Sequence, residues 1–412
     1  MKTKLLMCVL FCVAIVTQSQ NTYVPDDNFE QALIDWGYDS YPLDDYVPTS
    51  NIAGVTYLDV QFYGITDLTG IEDFTALQIF ICSFNDITSL DLSQNLALSY
   101  LECGVNQIST LNVTQNTGLT TLDCQDNQLS SLDLSQNLSL TSLNCSRNSF
   151  TSIDVSYNTA LESLSCSYMQ LTSLDLSLNS SLTFLDCYNN QLTSLDVTQN
   201  PLLTNLNCFN NLLTSLDITQ NPDLIFLYCY GNSLTSINTS ANSVLSQLSC
   251  SDNQITGLDL TSNTQLAVLI VQNNSLTGLD IQNGNNGIIN TFRTTGNPNL
   301  TCINVDNVAY STSNWTDIDP QHYFDVNCPA LDIEESELTS FKVFPNPVKN
   351  VLKIQTNEPG SYSVFNLNGQ VLLEGEIFVG ENELPMSFLP NGMYFLKVRT
   401  ERRISTNKLI KQ

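Results

Sequence analysis

The chain has 412 residues, of which 42% are hydrophobic, and its formal charge at pH 7 is −28, from 41 acidic and 13 basic side chains. This acidic excess argues against partners such as nucleic acid or an anionic membrane, whose phosphates it would repel. With one histidine in the whole sequence, and no closely spaced cysteine pairs for a metal, the chain also lacks the usual catalytic combinations, so we expect no enzyme.

Residues 1–19 contain Lys2 and Lys4, an apolar run over residues 5–16, and small residues near the end. This pattern is typical of a Sec signal peptide. No other apolar stretch reaches the length of a membrane span. We therefore expect an exported chain without a membrane-spanning segment.

Charge divides the remaining sequence. Residues 20–341 hold only two cations, Arg147 and Arg293, against 35 acidic residues, whereas residues 342–412 hold nine Lys and Arg against six Glu. This shift predicts a domain boundary near residue 341.

The segment 20–54 precedes the main pattern of the chain. Over residues 26–36 the apolar side chains fall on one helical face, Asp27 and Glu30 have the spacing of a capping box, and Gly37 follows. An open solenoid exposes the interior of its first coil, so the sequence predicts an N-terminal helical cap.

The pattern LxxLxCxxNxLxxLDLSxNxx then repeats every 21 residues from Leu77 to about Leu279. A fixed period in this range indicates a solenoid. The cysteine column is Cys82, Cys103, Cys124, Cys145, Cys166, Cys187, Cys208, Cys229 and Cys250. The first asparagine column is Asn85, Asn106, Asn127, Asn148, Asn190, Asn211, Asn232, Asn253 and Asn274. The second is Asn95, Asn116, Asn137, Asn158, Asn179, Asn200, Asn221, Asn242 and Asn263.

Each unit contains LxxLxLxxN twice, which predicts two short strands per coil, one on each side, paired in parallel with adjacent coils. Leucines and cysteines point inward, and the asparagine amides satisfy backbone groups where the chain turns. Because cysteine takes an inward position that Leu or Val fills elsewhere, we interpret the column as structural thiols.

Residues 77–282 resemble a bacterial leucine-rich repeat with nested ten- and eleven-residue halves. The preceding coil, residues 55–74, resembles the 22-residue internalin-type repeat and is expected to carry a 3₁₀ turn. The resemblance implies a mostly β fold: a leucine-rich repeat solenoid over residues 55–282, with short parallel strands on both sides, an N-terminal helical cap and a small C-terminal β-sandwich.

After Ile281 the repeat register is lost, and residues 283–331 are predicted to form an irregular C-terminal cap, in which Trp315, Tyr323 and Phe324 cover the last coil. Cys302 and Cys328 lie outside the 21-residue column, and in an exported chain they are expected to form a disulfide. The single histidine, His322, has no ligand-spaced neighbours and is interpreted as a surface residue.

Residues 332–340 are predicted to be a linker. Short alternating strands follow, with hairpin turns at Asn368-Gly369 and Asn391-Gly392. The motifs PNP at 345–347 and LPNGMY at 389–394, with lysines at the end, resemble the type A sorting domain of the type IX secretion system. The resemblance implies that residues 341–412 engage the secretion machinery and carry the chain across the outer membrane to the cell surface or the extracellular space.

On the LDLS side the outward positions repeat almost unchanged, with a column of aspartates. Stacked carboxylates repel, so they must be solvated, partly protonated or bridged by cations. Solvation with hydrogen bonds from neighbouring hydroxyls is the simpler hypothesis. Calcium is the alternative, because carboxylate and hydroxyl oxygens are its preferred ligands. The calcium hypothesis concerns Asp154, Asp175, Asp196 and Asp217.

The opposite side varies from coil to coil, and three successive coils place aromatic and polar residues outward. These residues are Phe184, Asp186, Tyr188, Asn205, Asn207, Phe209, Phe226, Tyr228 and Tyr230. An aromatic patch on a polar surface often marks a contact site. Cross-strand aromatic packing that only stabilises the sheet is the alternative.

The sequence therefore predicts a secreted, monomeric leucine-rich repeat protein that binds an unknown protein or glycan ligand in adhesion or recognition. A passive structural spacer of the cell surface is the main alternative. A carbohydrate-active enzyme that uses only carboxylates is a distant third.

Overall fold

The computed structural model describes residues 20–328, 341–366, 370–400 and 404–412. The signal peptide, the linker at 332–340 and the Asn368-Gly369 turn lie outside these residues. The chain forms two compact units, residues 1–328 and 329–412. Each unit has a hydrophobic core of its own.

The N-terminal cap contains a helix at Asp27–Asp35, a short helix at Thr49–Ile52 and two antiparallel strands, Asn21–Tyr23 and Tyr46–Pro48. The capping-box prediction is wrong in its residues. Asp26 is the N-cap and its Oδ1 accepts hydrogen bonds from the N–H groups of the first turn, as an N-cap aspartate does. Its Oδ2 accepts from the N–H and hydroxyl of Thr66, which ties the helix to the first coil.

The variable side of the solenoid is a twelve-stranded parallel sheet, here called the front sheet. Consecutive strands are offset by 22 residues at the first step, by 21 through the repeats and by 23 at the last step. The strands are Tyr57–Asp59, Ile79–Ile81, Tyr100–Glu102, Thr121–Asp123, Ser142–Asn144, Ser163–Ser165, Phe184–Asp186, Asn205–Asn207, Phe226–Tyr228, Gln247–Ser249, Val268–Ile270 and Thr291–Arg293.

Behind the front sheet lies a continuous core of leucines and thiols, in which all nine column cysteines are fully buried. In the first asparagine column each amide bridges coils: Asn127 Nδ2 donates to the carbonyls of Cys103 and Cys124, and its Oδ1 accepts from the N–H of Ile108. These bonds satisfy backbone groups that the inward turn would otherwise bury unpaired, as predicted.

The LDLS side, here called the back side, differs between its ends and its middle. Parallel strands occur at Leu90–Asp91 with Leu111–Asn112, and in a four-stranded sheet further on. That sheet contains Gly257–Asp259, Gly278–Asp280, Cys302–Asn304 and Tyr323–Asp325. Between these two groups the described chain has turns instead of strands. There the outward aspartate accepts the N–H two residues on, as between Asp175 and Ser177. The same bond forms at Asp91 and Asp259 within back-side strands, so it is common to both kinds of coil.

The 3₁₀ turn predicted for the first coil is present at Ile71–Asp73, and another lies at Asn286–Ile288. The region after Ile281 is less irregular than the sequence predicted. Thr291–Arg293 adds a strand to the front sheet, and Asn297 takes the asparagine position, with Nδ2 donating to Val271 O. Two extra residues hide this coil from a strict 21-residue period.

The C-terminal cap contains the helix Val308–Asn314 and the predicted disulfide between Cys302 and Cys328. Trp315 is buried and stacks on Phe292 at 4.3 Å between ring centroids, while Phe324 is buried beside it and Tyr323 is exposed.

The surface position predicted for His322 is wrong. The ring is buried, with Nδ1 3.1 Å from Thr294 Oγ1 and Nε2 3.3 Å from Asn297 O. It helps to hold the last coil against the cap.

The second unit is built from two antiparallel sheets. The three-stranded sheet contains Phe341–Phe344, Val351–Thr356 and Gly380–Pro385. The four-stranded sheet contains Val371–Ile377, Gly360–Phe365, Gly392–Thr400 and Ile404–Lys411. The Asn346 side chain fastens the last strand, because Nδ2 donates to Lys408 O and Oδ1 accepts from Ile410 N.

Candidate functional site

The aromatic residues predicted on the variable side lie on three adjacent strands of the front sheet or two residues beyond their ends. All are partly exposed. Three of them form a run, here called the aromatic strip: Tyr188 stacks on Phe209 and Phe209 on Tyr230, with ring centroids 4.3 Å apart in both pairs. Ring planes tilted by only 15° and 11° place face against face. The strip therefore presents mainly ring edges and the two tyrosine hydroxyls to the outside.

Two residues that the sequence interpretation missed extend the strip. Tyr168 packs edge-on against Tyr188 at 5.3 Å, and the Arg147 guanidinium lies 3.9 Å from the centre of the Tyr168 ring. Both sit one position further along their coils than Tyr188 does, in a column where the backbone has positive φ. That bend turns their side chains toward the neighbouring coil. Arg147 is one of only two cations between residues 20 and 341.

Phe184 and Phe226 lie at the other edge of the same strands, with Asn205 between them in the register. Neither packs ring to ring with another aromatic in the described part of the chain. Six of the nine predicted residues thus form two groups, a stacked strip and a looser row of two phenylalanines around Asn205.

Between these groups runs a polar row. Asn207 Nδ2 donates to Asp186 Oδ1, and the Tyr228 hydroxyl donates to Gln247 Oε1. Burial raises the pKa of Asp186, and the hydrogen bond from Asn207 opposes this only in part. Burial likewise raises the pKa values of Tyr188 and Tyr230, so both remain neutral hydroxyls at physiological pH.

On the back side the aspartate column is exposed, and each carboxylate is engaged within its own turn. Asp196 Oδ1 accepts from the Thr198 N–H at 2.9 Å and from its hydroxyl at 2.7 Å. These two bonds lower the pKa of Asp196, so the carboxylate is ionised. This disfavours partial protonation of Asp196. The calcium site remains a prediction.

In the described ranges one group of three carboxylates brings its oxygen atoms within 4.8 Å of one another, and it lies outside the aspartate column: Asp27, Glu30 and Asp45. Glu30 is fully buried, and its two oxygens already accept the N–H groups of Asp44 and Asp45. The group is accounted for by fastening the loop to the cap helix.

The column thiols are free and enclosed. Burial raises the pKa of Cys145, Cys208 and Cys250 to about 12. A thiol held in its protonated form is a poor nucleophile and a poor metal ligand. The geometry therefore agrees with the interpretation of the column as packing groups.

Comparison with known proteins identifies the second unit. Residues 342–412 match the family described as secretion system C-terminal sorting domain. This domain directs secretion to the cell surface or the extracellular space. No helix in the described ranges is both long enough and apolar enough to cross a membrane.

The solenoid resembles the internalins of Listeria monocytogenes. Over 79 residues the chain is 43% identical to Internalin J of serotype 4b strain F2365, a match that spans 19% of this chain and 8% of that protein. The solved structure of the functional domain of InlJ from Listeria monocytogenes, which includes a cysteine ladder, is 27% identical with a TM-score of 0.55, covering 96% of this chain and 99% of that one.

The crystal structure of internalin InlF from strain F2365 has a TM-score of 0.54 at 24% identity, over 72% of this chain and 95% of that chain. At this identity the likeness concerns the fold. The chain is a leucine-rich repeat solenoid followed by a C-terminal sorting domain that directs secretion, and the predicted fold class is confirmed.

Proposed function

We propose that this protein is a recognition module of the cell surface or its surroundings, and that the front sheet binds a protein partner through the aromatic strip. The observation that carries the proposal is the run of Arg147, Tyr168, Tyr188, Phe209 and Tyr230 on an acidic surface. It is longer than the exposed stacked pair of Phe62 and Phe84. Tyr and Arg are enriched among residues that dominate binding energy, and contiguous apolar surface of this kind is uncommon on isolated proteins.

The stacking favours a protein over a glycan. A sugar ring packs against the face of an aromatic ring, but in the strip Phe209 has both faces covered by its neighbours. The accessible edges and hydroxyls suit side chains and backbone groups of a protein. Because the solenoid is strongly acidic, such a partner should present a neutral or basic surface.

The passive spacer remains the second candidate, and the same contacts support it. Each stacked pair stabilises the sheet by about 0.5–1.5 kcal/mol beyond burial. A spacer needs rigidity and no ligand, and the strip supplies rigidity across four coils.

The test compares two sets of substitutions in the full chain. Serine already stands at the strip's position in other coils, at Ser146, Ser167 and Ser251, so Tyr188→Ser, Phe209→Ser and Tyr230→Ser should keep the fold. With the native chain binding bacterial or host cells, the triple variant should lose about 30-fold or more in affinity, the scale of a 2 kcal/mol hot spot. Circular dichroism should report a folded solenoid with a lower melting temperature.

Two controls separate binding from stability. Phe184→Ser with Phe226→Ser removes aromatic area from the looser row, and Asp175→Asn, Asp196→Asn and Asp217→Asn alter the back side; both sets should bind normally. Phe209→Leu keeps apolar packing without stacking and protects the test if the serine variant unfolds. Normal cell binding by a folded strip variant would contradict the proposal and favour the spacer. If the native chain binds glycans on an array and the strip variant does not, the ligand of the strip is a glycan and not a protein.

A further inference from the structure

At the N-terminal end of the front sheet, the cap and the first coil border a cavity of about 430 Å³ that is wide open to solvent and distant from the aromatic strip along the solenoid. The lining residues are Asp35, Trp36, Asp59, Gln61 and Tyr63. Neither the sorting domain nor the proposed strip accounts for this cavity.

The lining is held in place by hydrogen bonds. Trp36 Nε1 donates to the carbonyl of Asp59 at 2.7 Å, and the Tyr63 hydroxyl donates to Asp35 Oδ2 at 3.1 Å. Gln61 donates to both carboxylate oxygens of Asp59, from its backbone N–H at 3.1 Å and its side chain at 3.0 Å. The walls are therefore organised before any ligand arrives.

Aromatic rings extend one wall. Trp36 lies parallel to Tyr38 with a 6.3 Å centroid separation, and Tyr57 meets the Trp36 ring edge-on at 5.8 Å. Trp36 remains 40% exposed, which leaves ring surface available to a ligand.

The two carboxylates lack a counter-charge. Residues 20–341 contain only Arg147 and Arg293, and the ion pairs of these arginines go to Asp126 and Asp317. All donors to Asp35 and Asp59 are neutral amides or hydroxyls. Desolvation together with the Asp35 and Asp59 carboxylates also raises the pKa of Tyr63, in keeping with a locally negative field.

Aromatic ring faces beside carboxylates are the chemistry that recognises organic cations, through cation–π attraction and charge-assisted hydrogen bonds. We infer that this cavity binds an organic cation, a guanidinium or a quaternary ammonium group. A hard metal ion is disfavoured, because in the described ranges the cavity does not bring three acidic, histidine or cysteine ligand atoms together. The inference does not depend on the aromatic strip.

The chain offers a direct optical test. Of its two tryptophans, Trp315 is buried in the C-terminal cap, so a fluorescence change on adding a cation reports on Trp36. The full chain is titrated with N-acetyl-arginine amide, with choline and with neutral N-acetyl-citrulline amide as the matched control. A saturable change is expected with at least one cationic probe, weakened by salt.

Substitution defines the site. Asp35→Asn with Asp59→Asn keeps side-chain size and should lower the affinity for the cation at least tenfold, whereas Trp36→Phe should remove the signal. A preference for the arginine probe assigns the site to a protein side chain, and a preference for choline assigns it to a small quaternary ammonium compound. The absence of a saturable change, equal binding of the citrulline probe, or unchanged affinity in the double Asn variant would overturn the inference.

Discussion

In the second asparagine column, most of the side chains have one amide oxygen without a hydrogen-bond donor. In each coil the Nδ2 donates to two carbonyls, as Asn221 does to Val197 and Asn200. The Oδ1, however, is buried without a hydrogen-bond partner in eight of these asparagines. They are Asn95, Asn116, Asn137, Asn158, Asn179, Asn200, Asn221 and Asn242. A buried acceptor left unpaired costs about 1–3 kcal/mol.

In one coil the asparagine oxygen does have a donor, and the identity of that donor explains why the other oxygens lack one. Asn263 Oδ1 accepts from Thr239 Oγ1 at 2.8 Å, and Thr239 stands where the other coils have Leu, Val or Ile. An aliphatic side chain at that position offers no donor to the amide oxygen 24 residues later. The missing partner is thus a property of one core position and not of the asparagine.

Val197→Thr tests this account, because residue 197 has the same relation to Asn221 that Thr239 has to Asn263. Burying a hydroxyl in an apolar core normally costs about 1–3 kcal/mol. Here the new hydroxyl should donate to Asn221 Oδ1, so we expect the free energy of unfolding to stay within about 0.5 kcal/mol of the native value, since pairing this oxygen recovers about 1–3 kcal/mol and offsets the cost of burying the hydroxyl.

The reverse change, Thr239→Val, should destabilise by about 1–3 kcal/mol because it strands the Asn263 oxygen. Chemical denaturation of both variants gives the comparison. A stabilising Thr239→Val, together with a costly Val197→Thr, would show that packing decides this position and that the unpaired oxygens are of no consequence.

At the scale of elements, the structure of each coil could be predicted from the sequence, but the difference in strand content between its front and back sides could not. Alternation and period predicted the front strands, the inward cysteines and the asparagine bonds, because each depends on nearest neighbours in a fixed register. The middle of the back side lacks strands although Asp175 makes the same turn bond as Asp91 and Asp259, which lie in strands, and the repeat pattern does not distinguish these coils. Tyr168 escaped notice because its contact to Tyr188 crosses from one column to the next.

The back-side turns also predict a pH dependence. Hydrogen bonds from the Ser or Thr two residues on hold the pKa values of Asp154, Asp175, Asp196 and Asp217 below 3.8. An acid whose pKa is lowered by folding contributes stability above its unfolded pKa and loses it as the pH falls through the folded one. The melting temperature should therefore decrease as the pH is lowered below about 4.

Replacing these four aspartates with asparagine should flatten that acid limb and leave the melting temperature near pH 7 almost unchanged. Asparagine can make the same turn: Asn112 accepts from Thr114 N and Asn238 from Ser240 N in the native protein. Burial raises the pKa values of Asp123 and Asp186, so these two residues stabilise the protein more as the pH falls. Both are present in the native protein and in the variant, so their contribution cancels in the comparison. An identical acid limb in the two proteins would contradict the role given to these bonds.

At the scale of the whole molecule, the solenoid and the sorting domain are two units with separate hydrophobic cores. The solenoid core runs from Val24 in the N-terminal cap to Phe324 in the C-terminal cap, so both ends of the apolar interior are closed within residues 20–328. The second core, which includes Val348 and Leu409, belongs to the sorting domain alone. The sequence predicted this division from charge and motif changes, but the extra coil at Thr291–Arg293 and the buried His322 were missed, because they depend on contacts outside the 21-residue period.

This division predicts that a chain lacking residues 341–412 folds but does not reach the surface. Because both caps of the solenoid are retained, the truncated protein should melt at the temperature of the solenoid transition in the full chain, and it should accumulate in the periplasm. Fractionation and protease treatment of intact cells measure its location. Asn346→Ala is the matched point variant: it removes the side chain that fastens the last strand through Lys408 O and Ile410 N, and should reduce display without altering the solenoid transition. Normal surface display of the truncated chain would refute the role of the sorting domain, whereas loss of its melting transition would show that the solenoid needs the second unit in order to fold.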